Sequence, residues 1–375
     1  MTDQPSIPVQ PGDALPFCYG MAADRRFYSS ESQAGRPAVM VLIGHAAGLA
    51  ADATIAALLC RADAFAERNA DLVILGEEDM VRARRRDALS PARLVDCGGE
   101  FLKSCGVSPC ETVVLAVDRN RRVALRLSSC GDTDVAAACL ACLDRLPRED
   151  ARDIVLPAPV LILPNLLSSL QCRHLIDLFE SRPSMEGEIA TIDRDGMPAS
   201  RVDRDKKRRR DVPIGPDDPL HPLLCETLLR RCVPEIARAF QSKIVHIDRL
   251  LLARYDESGG WFRRHRDNVG AQVAFREFAI SVNLNTEEYE GGHLLFPEYN
   301  DHRYRPPTGG GVIFSASLLH EAAPVTRGRR YVLLTFFYSD VAEQRVACAQ
   351  KSILPPVAGE GWVEGVTGRR LQGGS

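Results

Sequence analysis

The sequence predicts two domains, an α/β domain followed by a mainly β domain of the sandwich or jelly-roll class with supporting helices. The chain has 375 residues and 45% of them are hydrophobic, which suffices for two cores of ordinary size. Strand and helix patterns alternate in the first part of the chain, whereas short strands broken by Gly, Asn and Pro turns follow one another after Ile247. The two patterns indicate two separate cores.

The α/β domain is predicted over residues 1–150. Its expected elements are strands at 38–44 and 71–77, a helical stretch ending near residue 68, a two-stranded hairpin within 112–129 and a closing helix at 132–146. The next segment, residues 147–157, combines prolines with a cluster of charges between two regular regions. Such a segment is typical of a domain boundary.

The β domain is predicted over residues 157–345, and it begins with two helical patterns separated by a charged loop. Its strands show a period of two. In residues 277–285 one face carries Phe278, Ile280, Val282 and Leu284, and the other carries Ala279, Ser281 and Asn283. The apolar face is expected to pack into a core. The Gly-rich segment 346–375 is predicted to be a loosely ordered tail.

The charge balance argues against polyanionic partners. The net charge is −3, so neither nucleic acid nor a membrane surface is an expected partner. The most apolar run, residues 37–59, is interrupted by His45, Asp52 and two glycines, which favours a strand and a helix over a membrane span. The first ten residues lack the basic and apolar regions of a secretory signal, so a cytoplasmic location is expected.

The chain has twelve cysteines, which are expected to be reduced and mostly buried. One pair, Cys139 and Cys142, has the C-x-x-C spacing of redox and zinc sites. It lies in an Ala- and Leu-rich helical pattern, and no second Cys/His pair completes a metal set. A pair of core thiols is therefore favoured over a redox or zinc site.

Three residues form a candidate metal site. His265 and Asp267 are two positions apart on a predicted strand, so their side chains point to the same side. His320 ends another predicted strand 53 residues after Asp267. Two imidazoles and one carboxylate on one side of a metal suit a non-haem Fe(II) that also holds a co-substrate and O2. On these three residues alone, a surface hydrogen bond and a histidine at a strand end remain an alternative.

A basic residue follows His320 in the sequence. Arg330 lies ten residues after His320, at the start of the strand that returns after a Pro- and Gly-containing turn. A guanidinium buried there needs a partner, and its planar fork matches a carboxylate. A dicarboxylic co-substrate bound to the metal at one end would supply that partner. Arg327 and Arg329 are expected to stay solvated, although a register error of one residue would turn Arg329 inward.

These motifs resemble a known family. Residues from about 247 to 340, and less clearly from 157, are similar to the prolyl 4-hydroxylase-like branch of the Fe(II)/2-oxoglutarate-dependent dioxygenases. The signature of that branch is H-x-D, a distal His and a basic residue about ten positions later, which here are His265-Arg266-Asp267, His320 and Arg330. The runs "SVNLNTEEYEGGHLLFPEY" and "HEAAPVTRGRR" also match it.

The resemblance implies a double-stranded β-helix fold and a hydroxylase. It implies that His265, Asp267 and His320 are the catalytic metal ligands and that Arg330 binds the co-substrate, helped by Tyr255 and Asn283. The implied cofactors are Fe(II), 2-oxoglutarate and O2, with ascorbate as an addition, and the implied products are succinate, CO2 and an alcohol.

The chain departs from the family pattern in ways that bear on the substrate. Relatives acting on proline often have Tyr at the position of Asn283 and Trp at that of Tyr331, so proline is not implied as the substrate residue. Asp267, where halogenating relatives have Ala or Gly, argues against halogenation. A peptide or a small amino-acid-like molecule is the expected substrate.

The first domain resembles a peroxiredoxin or another thioredoxin-like fold. The runs "PGDALPF", "GRPAVMVLIG" and "VLAVDRNRRV" carry this resemblance. The Thr-x-x-Cys motif of peroxidases is replaced by "HAAGLAADAT", and the nearest thiol, Cys60, is expected in the middle of a helix, far from the helix N-terminus that would activate it. The domain is expected to be non-catalytic, with a scaffolding, dimerising or substrate-presenting role. The alternatives are a thiol-redox enzyme and a non-catalytic, metal-stabilised binding protein.

A basic run occupies residues 206–210. It is predicted to lie in a loop near the substrate entrance, either as a solvated charge run or as a guide for an acidic substrate. His293 and His302 lie near the predicted cleft and are not counted as ligands.

Overall fold

The structure is a computed structural model that describes residues 7–83, 91–128, 134–148, 151, 153–192, 198–257, 259–270, 272–342 and 344. The predicted tail at 346–375 lies outside the described residues.

The N-terminal part is built on one mixed sheet. Its strands are β1 (Tyr19–Ala22), β2 (Phe27–Ser29), β3 (Ala38–Ile43), β4 (Asp71–Gly76), β5 (Arg93–Asp96), β6 (Thr112–Val117) and β7 (Val123–Ser128). Their order in the sheet is β2-β1-β5-β4-β3-β6-β7, with β3, β4 and β5 parallel and the other pairs antiparallel. Strands β3 and β6 are buried at every position, which explains their continuous apolar sequences.

Helices cover both faces of this sheet. They are α1 (Gly48–Leu59), α2 (Ala62–Glu67), α3 (Glu78–Ala83), α4 (Gly98–Ser104) and α5 (Val135–Asp144). Ile55 of α1 and Cys139 of α5 belong to the core on one face, and Phe101 of α4 belongs to the core on the other. The predicted α/β class of this part is confirmed.

Some local predictions for this part need correction. Strands β1, β2 and β5 and helices α3 and α4 were not predicted, because each is short and has no clear period. Helix α1 ends at Leu59, so the exposed Cys60 lies at its C-terminal end and not in its middle. The thiol is at the opposite end of α1 from its N-terminus, and it lies two residues before α2 begins at Ala62.

The C-terminal part contains two facing sheets and two long helices. The strands are β8 (Val160–Leu163), β9 (Met185–Glu186), β10 (Ile189–Ile192), β11 (Pro198–Arg201), β12 (Lys207–Arg208), β13 (Arg210–Ile214), β14 (His246–Ile247), β15 (Leu250–Asp256), β16 (Trp261–His265), β17 (Phe278–Asn283), β18 (Glu290–Gly291), β19 (Leu294–Leu295), β20 (Gly311–Ser315), β21 (His320–Ala322), β22 (Val325–Arg327) and β23 (Arg329–Tyr338). The helices are α6 (Ser169–Ser181) and α7 (Leu220–Phe240).

The larger sheet has the order β8-β20-β17-β23-β15-β13-β9, with β14 paired to β23, and the smaller sheet has the order β12-β16-β21-β19. Strand pairs β10–β11 and β18–β22 stand apart. Every pair within the two sheets is antiparallel, and two facing antiparallel sheets are the jelly-roll arrangement that the sequence predicts.

The predicted alternation in β17 is present, and it separates two cores. Phe278, Ile280 and Val282 pack with α6 and α7 on the outer face of the larger sheet. Ala279 belongs to the core between the two sheets. Ser281 and Asn283, on the same face as Ala279, are thereby directed into the space between the sheets.

A buried ionic network joins the N-terminal part to α7. Asp13 accepts a hydrogen bond from Nε of Arg231 at 3.0 Å, and Nε of Arg230 lies 3.2 Å from the same oxygen. From the β6–β7 turn, Arg122 donates to the backbone carbonyl of Arg231 at 2.9 Å and lies 3.4 Å from Glu235. Asp13, Arg122, Arg231 and Glu235 are all buried, so the two cores meet through charges that are shielded from water.

We expect Asp13→Ala to lower the free energy of unfolding by about 3–5 kcal/mol, because it leaves the guanidinium of Arg231 buried without its carboxylate. Urea titrations followed by far-UV circular dichroism measure the change. Glu78→Ala is the control, since Glu78 forms an exposed i,i+4 pair with Arg82 and its loss is expected to cost about 0.5 kcal/mol. Equal midpoints for the two variants would show that the buried network contributes no more than a surface pair.

Candidate metal centre

Two neighbouring strands of the smaller sheet bring the three predicted ligands together. His265 ends β16 and His320 begins β21, and these two residues are directly opposite each other in the antiparallel pair. The predicted strand ending at His320 is in fact two strands, since β20 stops at Ser315 and β21 begins five residues later. Asp267 lies just beyond β16, where its N–H donates to the carbonyl of Ala316 at 2.9 Å.

The three side chains converge on one point. One donor atom from each, two imidazole nitrogens and a carboxylate oxygen, all lie within 4.8 Å of one another. Nε2 of His265 is 3.5 Å from Oδ1 of Asp267, and Nε2 of His320 is 3.4 Å from Oδ2 of the same carboxylate. The three side chains are 5–14% exposed, so the cluster has little contact with bulk water.

Backbone carbonyls fix both imidazoles. Nδ1 of His265 donates to the carbonyl of Arg263 at 2.7 Å, and Nδ1 of His320 donates to that of Leu318 at 3.0 Å. A carbonyl accepts only from a protonated nitrogen, so in each neutral ring Nε2 carries the free lone pair. This is the hydrogen bonding usual for metal-binding histidines. The ring of Phe262 stacks on His265 with centroids 3.4 Å apart and holds its orientation.

The local electrostatics favour the protonation states that a metal requires. Burial would raise the pKa of Asp267, but His320 and His265 outweigh it and hold the pKa well below its ordinary range. Burial lowers the pKa of His320 to about 4, although the charge of Asp267 opposes this. At neutral pH the cluster therefore offers an ionised carboxylate and an uncharged imidazole.

Arg330 lies in the same pocket, and its guanidinium has N–H groups that are not used in hydrogen bonds. It is 2% exposed and occupies the second position of β23, directly opposite Tyr255 of β15. Its Nη2 donates to Oγ of Ser281 and to Oδ1 of Asn283, each at 3.2 Å. Nε is buried without a hydrogen-bond partner, and no acidic side chain within the described ranges forms an ion pair with Arg330. A buried guanidinium in this state fits a carboxylate ligand.

The other predicted co-substrate residues contact Arg330. The aromatic ring of Tyr255 has its centroid 5.2 Å from Cζ of Arg330, and its hydroxyl accepts a hydrogen bond from Nη1 of Arg209 at 3.2 Å. Asn283 accepts from Arg330 as described above. The neighbouring arginines point outward as predicted, because Arg327 and Arg329 have side chains that are 73% and 59% exposed.

One cleft contains Arg330 and the cluster of His265, Asp267 and His320 side chains (the metal cluster). Its empty space, including open solvent at the mouth, is about 1080 Å³. Apolar side chains form part of its wall, among them Leu251, Phe262, Leu294, Phe314 and Leu334. The metal cluster and Arg330 therefore share one partly apolar cleft that opens to solvent.

The sequence predicts a loop for the basic run at 206–210, but strands β12 and β13 contain most of its residues. Lys206, Lys207 and Arg209 line the cleft. Nζ of Lys207 donates to the carbonyl of Glu188 at 2.6 Å, and burial, followed by the charge of Arg209, lowers its pKa to about 7. Arg209 is bound by Asp211 at 2.7 and 3.1 Å. Arg208 is exposed and lies over the ring of Trp261.

Several residues of this cleft were not predicted from the sequence. Ser281 could have been found, since the alternation in β17 places it on the same face as Asn283. The inward positions of Lys207 and Arg209 follow from a period of two that the basic run conceals. Arg249 and Arg276 carry no local signal, because only the tertiary fold brings them to the cleft.

The remaining candidates do not form a second site among the described residues. Cys139 and Cys142 are buried in α5, and burial raises the pKa of both thiols, that of Cys139 to about 12. This supports the interpretation as core thiols. His293 and His302 are not members of the metal cluster.

Comparison with known proteins assigns the C-terminal part. Residues 250–338 match the family model described as the 2OG-Fe(II) oxygenase superfamily. The chain contains a 2OG-Fe(II) oxygenase domain. A PKHD-type hydroxylase of Paracoccus denitrificans is 27% identical to the chain over 188 residues, which are 48% of this chain and 77% of that protein. A PKHD-type hydroxylase of Paraburkholderia xenovorans is 38% identical over 96 residues, 24% of this chain and 41% of that protein.

Solved structures similar to the chain fall into two groups. A prolyl hydroxylase from Trichoplax adhaerens, in complex with a hypoxia inducible factor peptide fragment, has a TM-score of 0.40 and 19% identity, covering 50% of this chain and 86% of that one. A peroxidoxin from Mycobacterium tuberculosis has a TM-score of 0.33 and 16% identity, covering 37% of this chain and 99% of that one. The match to the oxygenase model confirms the resemblance predicted for the 2OG-Fe(II) oxygenase domain.

Among the described residues, no helix combines the length and the apolar character that crossing a membrane requires.

Proposed function

We propose that the chain is an Fe(II)- and 2-oxoglutarate-dependent dioxygenase that hydroxylates an unactivated C–H bond of a peptidyl or amino-acid-like substrate. The observation that carries this proposal is the pairing of two features in one cleft, the His265, Asp267 and His320 cluster and the buried Arg330 with its unpartnered Nε. Either feature alone would also suit a protein without this activity. Together they match a metal and a carboxylate ligand of a single co-substrate.

In this proposal each residue has a defined task. His265 and His320 would hold Fe(II) through Nε2, and Asp267 through a carboxylate oxygen, which leaves the opposite side of the metal open. Arg330 would bind the far carboxylate of 2-oxoglutarate. When bound, Fe(II) with 2-oxoglutarate and O2 supplies the oxidising power for hydroxylation, with release of succinate and CO2.

The surrounding residues prepare the cleft for these tasks. Ser281 and Asn283 fix the guanidinium of Arg330, so little entropy is lost when it binds a carboxylate. Arg209 orients the hydroxyl of Tyr255 next to it. The apolar wall formed by Leu251, Leu294 and other residues limits the entry of water, which protects a reactive centre from side reactions.

We also propose that residues 1–150 form a domain of their own, separate from a catalytic unit at 157–345. This N-terminal domain would serve as a scaffold or a dimerisation unit and would not perform thiol chemistry. The buried thiols of α5 and the lack of a cysteine at the start of α1 support a non-catalytic role.

The test is succinate formation by the purified full-length protein supplied with Fe(II), 2-oxoglutarate, O2 and ascorbate. Mass spectrometry quantifies succinate and searches a peptide library and a cell lysate for a product that is 16 mass units heavier, with and without 2-oxoglutarate. We expect iron-dependent succinate and a +16 product. A protein that binds iron and never forms succinate would be the non-catalytic binding protein instead, and a protein that binds no iron would contradict the proposal altogether.

A further inference from the structure

The cleft beside the metal cluster has an excess of positive charge. Its basic residues are Lys206, Lys207, Arg209, Arg249, Arg266, Arg276 and Arg330. Several of them have a partner that neutralises them. Arg209 is held by Asp211, Arg266 by Glu298, and Arg330 is assigned above to the co-substrate. Among the described residues Lys206 and Arg249 have no such partner, and of these two Arg249 lies over an aromatic ring of the cleft, that of Phe336.

Arg249 has no counter-ion among the described residues, although an acid is its neighbour in sequence. The carboxylate of Asp248 is bound to Arg276, with Nε at 2.8 Å and Nη2 at 2.6 Å from the same oxygen. The guanidinium of Arg249 forms no hydrogen bond or ion pair with any residue in the part of the chain that the structure describes. Its Cζ lies 5.7 Å from the ring centroid of Phe336, whose ring also faces Arg276 at 3.8 Å. Both guanidinium groups thus lie near the same aromatic ring.

The environment of Arg249 would favour an added anion. Loss of water around its guanidinium, followed by the positive charges of Arg276 and Arg209, lowers its pKa. The residue is nevertheless exposed at the cleft, so an incoming ligand can reach it. An oxyanion there would offset the repulsion between Arg249 and the neighbouring cations, and it would accept hydrogen bonds from the N–H groups of Arg249 that have no partner.

The position of Arg249 separates it from the co-substrate site. Arg249 immediately precedes β15, and Tyr255, which faces Arg330, lies six residues further along the same strand. Six residues of a strand span about 20 Å of backbone, so the two arginines extend into the cleft from backbone positions far apart along it. Arg276, whose Nη1 is 3.4 Å from the backbone carbonyl of Asp267, connects the neighbourhood of Arg249 to the loop that carries the metal ligand. Arg249 is therefore at the side of the cleft that remains for the substrate.

We propose that Arg249 binds an oxyanion of the substrate, a carboxylate or a phosphate, at the mouth of the metal cleft. This inference rests on the proposed function, because it treats the cleft as an oxygenase site. It narrows the substrate to molecules that carry a negative charge at a distance from the oxidised carbon. An uncharged analogue of the same shape would lack the group that Arg249 recognises.

The test measures the binding of small probes to full-length protein without added metal, by saturation-transfer NMR. The probes are N-acetylglycine, methyl phosphate and the neutral N-acetylglycinamide. We expect both anions to bind more tightly than the neutral probe, and Arg249→Gln to weaken the better anion about tenfold or more, as the loss of a charge-assisted hydrogen bond implies. Arg249→Lys, which keeps the charge, is expected to retain part of the affinity. The anion that binds better identifies the substrate group as a carboxylate or a phosphate.

Two further variants make the result decisive. Arg208→Gln removes an equal charge from an exposed residue outside this cleft and should leave probe binding within about twofold of the wild type. Arg330→Gln shows how much of the binding belongs to the co-substrate site. The inference would be overturned if Arg249→Gln behaved like Arg208→Gln while only Arg330→Gln lost affinity. This measurement involves neither iron nor turnover. A protein that binds anions through Arg249 and forms no succinate would therefore contradict the proposed function and leave the inference about Arg249 intact.

Discussion

Arg330→Gln is expected to raise the 2-oxoglutarate concentration needed for half-maximal succinate formation by two orders of magnitude or more. The guanidinium is 2% exposed, and Ser281 and Asn283 satisfy only Nη2. Removal of one partner from a buried charge pair costs about 3–5 kcal/mol, and each 1.4 kcal/mol is a tenfold change in affinity. The variant leaves the metal ligands in place, so iron binding should change little. Succinate formation at increasing 2-oxoglutarate and a separate iron titration measure the two quantities.

Arg329→Gln is the matched control for this prediction. It removes the same charge from the adjacent position, whose side chain is 59% exposed and lies on the opposite face of β23. We expect its 2-oxoglutarate requirement to stay within about twofold of the wild type. If both variants had the same requirement, the co-substrate would not be bound by Arg330, and the register of β23 in the proposal would be wrong.

The convergence of the three candidate metal ligands could be predicted from the sequence because the information is local. The i, i+2 spacing of His265 and Asp267 determines that they point to one side, wherever their strand ends. The ten-residue spacing between His320 and Arg330 encloses a turn, so both residues lie at the start of strands near the same end of the sheets. The alternation in residues 277–285 likewise determines which face of β17 reaches the cleft. Predictions from such patterns remain correct even when the predicted strand boundaries are wrong by a few residues.

The rest of the cleft depends on contacts that no local pattern encodes. Arg276 reaches the cleft because Asp248, 28 residues earlier, binds it there. Arg249 is left without a counter-ion among the described residues for the same reason. In the basic run, every residue from 206 to 210 is cationic, so the sequence carries no sign that Lys207 is buried while Arg208 is exposed. Tertiary hydrogen bonding, such as that of Lys207 to the carbonyl of Glu188, makes this distinction.

The contact between the two parts of the chain limits what the N-terminal part can do. Asp13 and Arg122 reach α7, which packs on the outer face of the larger sheet, on the side away from the cleft between the sheets. A thiol in the N-terminal part is therefore not presented to the metal cluster through this contact. The contact is suited to hold the oxygenase domain in a fixed orientation, which agrees with the scaffolding role proposed above.

Asp267→Ala is expected to abolish iron-dependent succinate formation. Asp267 is the only carboxylate of the cluster, and both Nε2 atoms lie within 3.5 Å of its oxygens. Without it the cluster keeps two imidazoles, which lack the negative charge that compensates a divalent cation. Loss of a group that merely supports a ligand costs 10–100-fold in metal affinity, so loss of the ligand itself should cost about a hundredfold or more. Iron titration of the metal-free protein and a succinate assay measure both effects.

The prediction for Asp267 distinguishes a metal ligand from a residue needed for folding. Asp301→Ala changes the same residue type in an exposed loop and is expected to keep full activity and iron binding. Because His320 and His265 outweigh the cost of burying the Asp267 carboxylate, we expect Asp267→Ala to be somewhat less stable to urea than the wild type even without metal. Added Fe(II) should then stabilise the wild type and not the variant, because only the wild type binds it tightly. A variant that binds iron as well as the wild type would show that Asp267 is not a ligand and that the metal centre lies elsewhere.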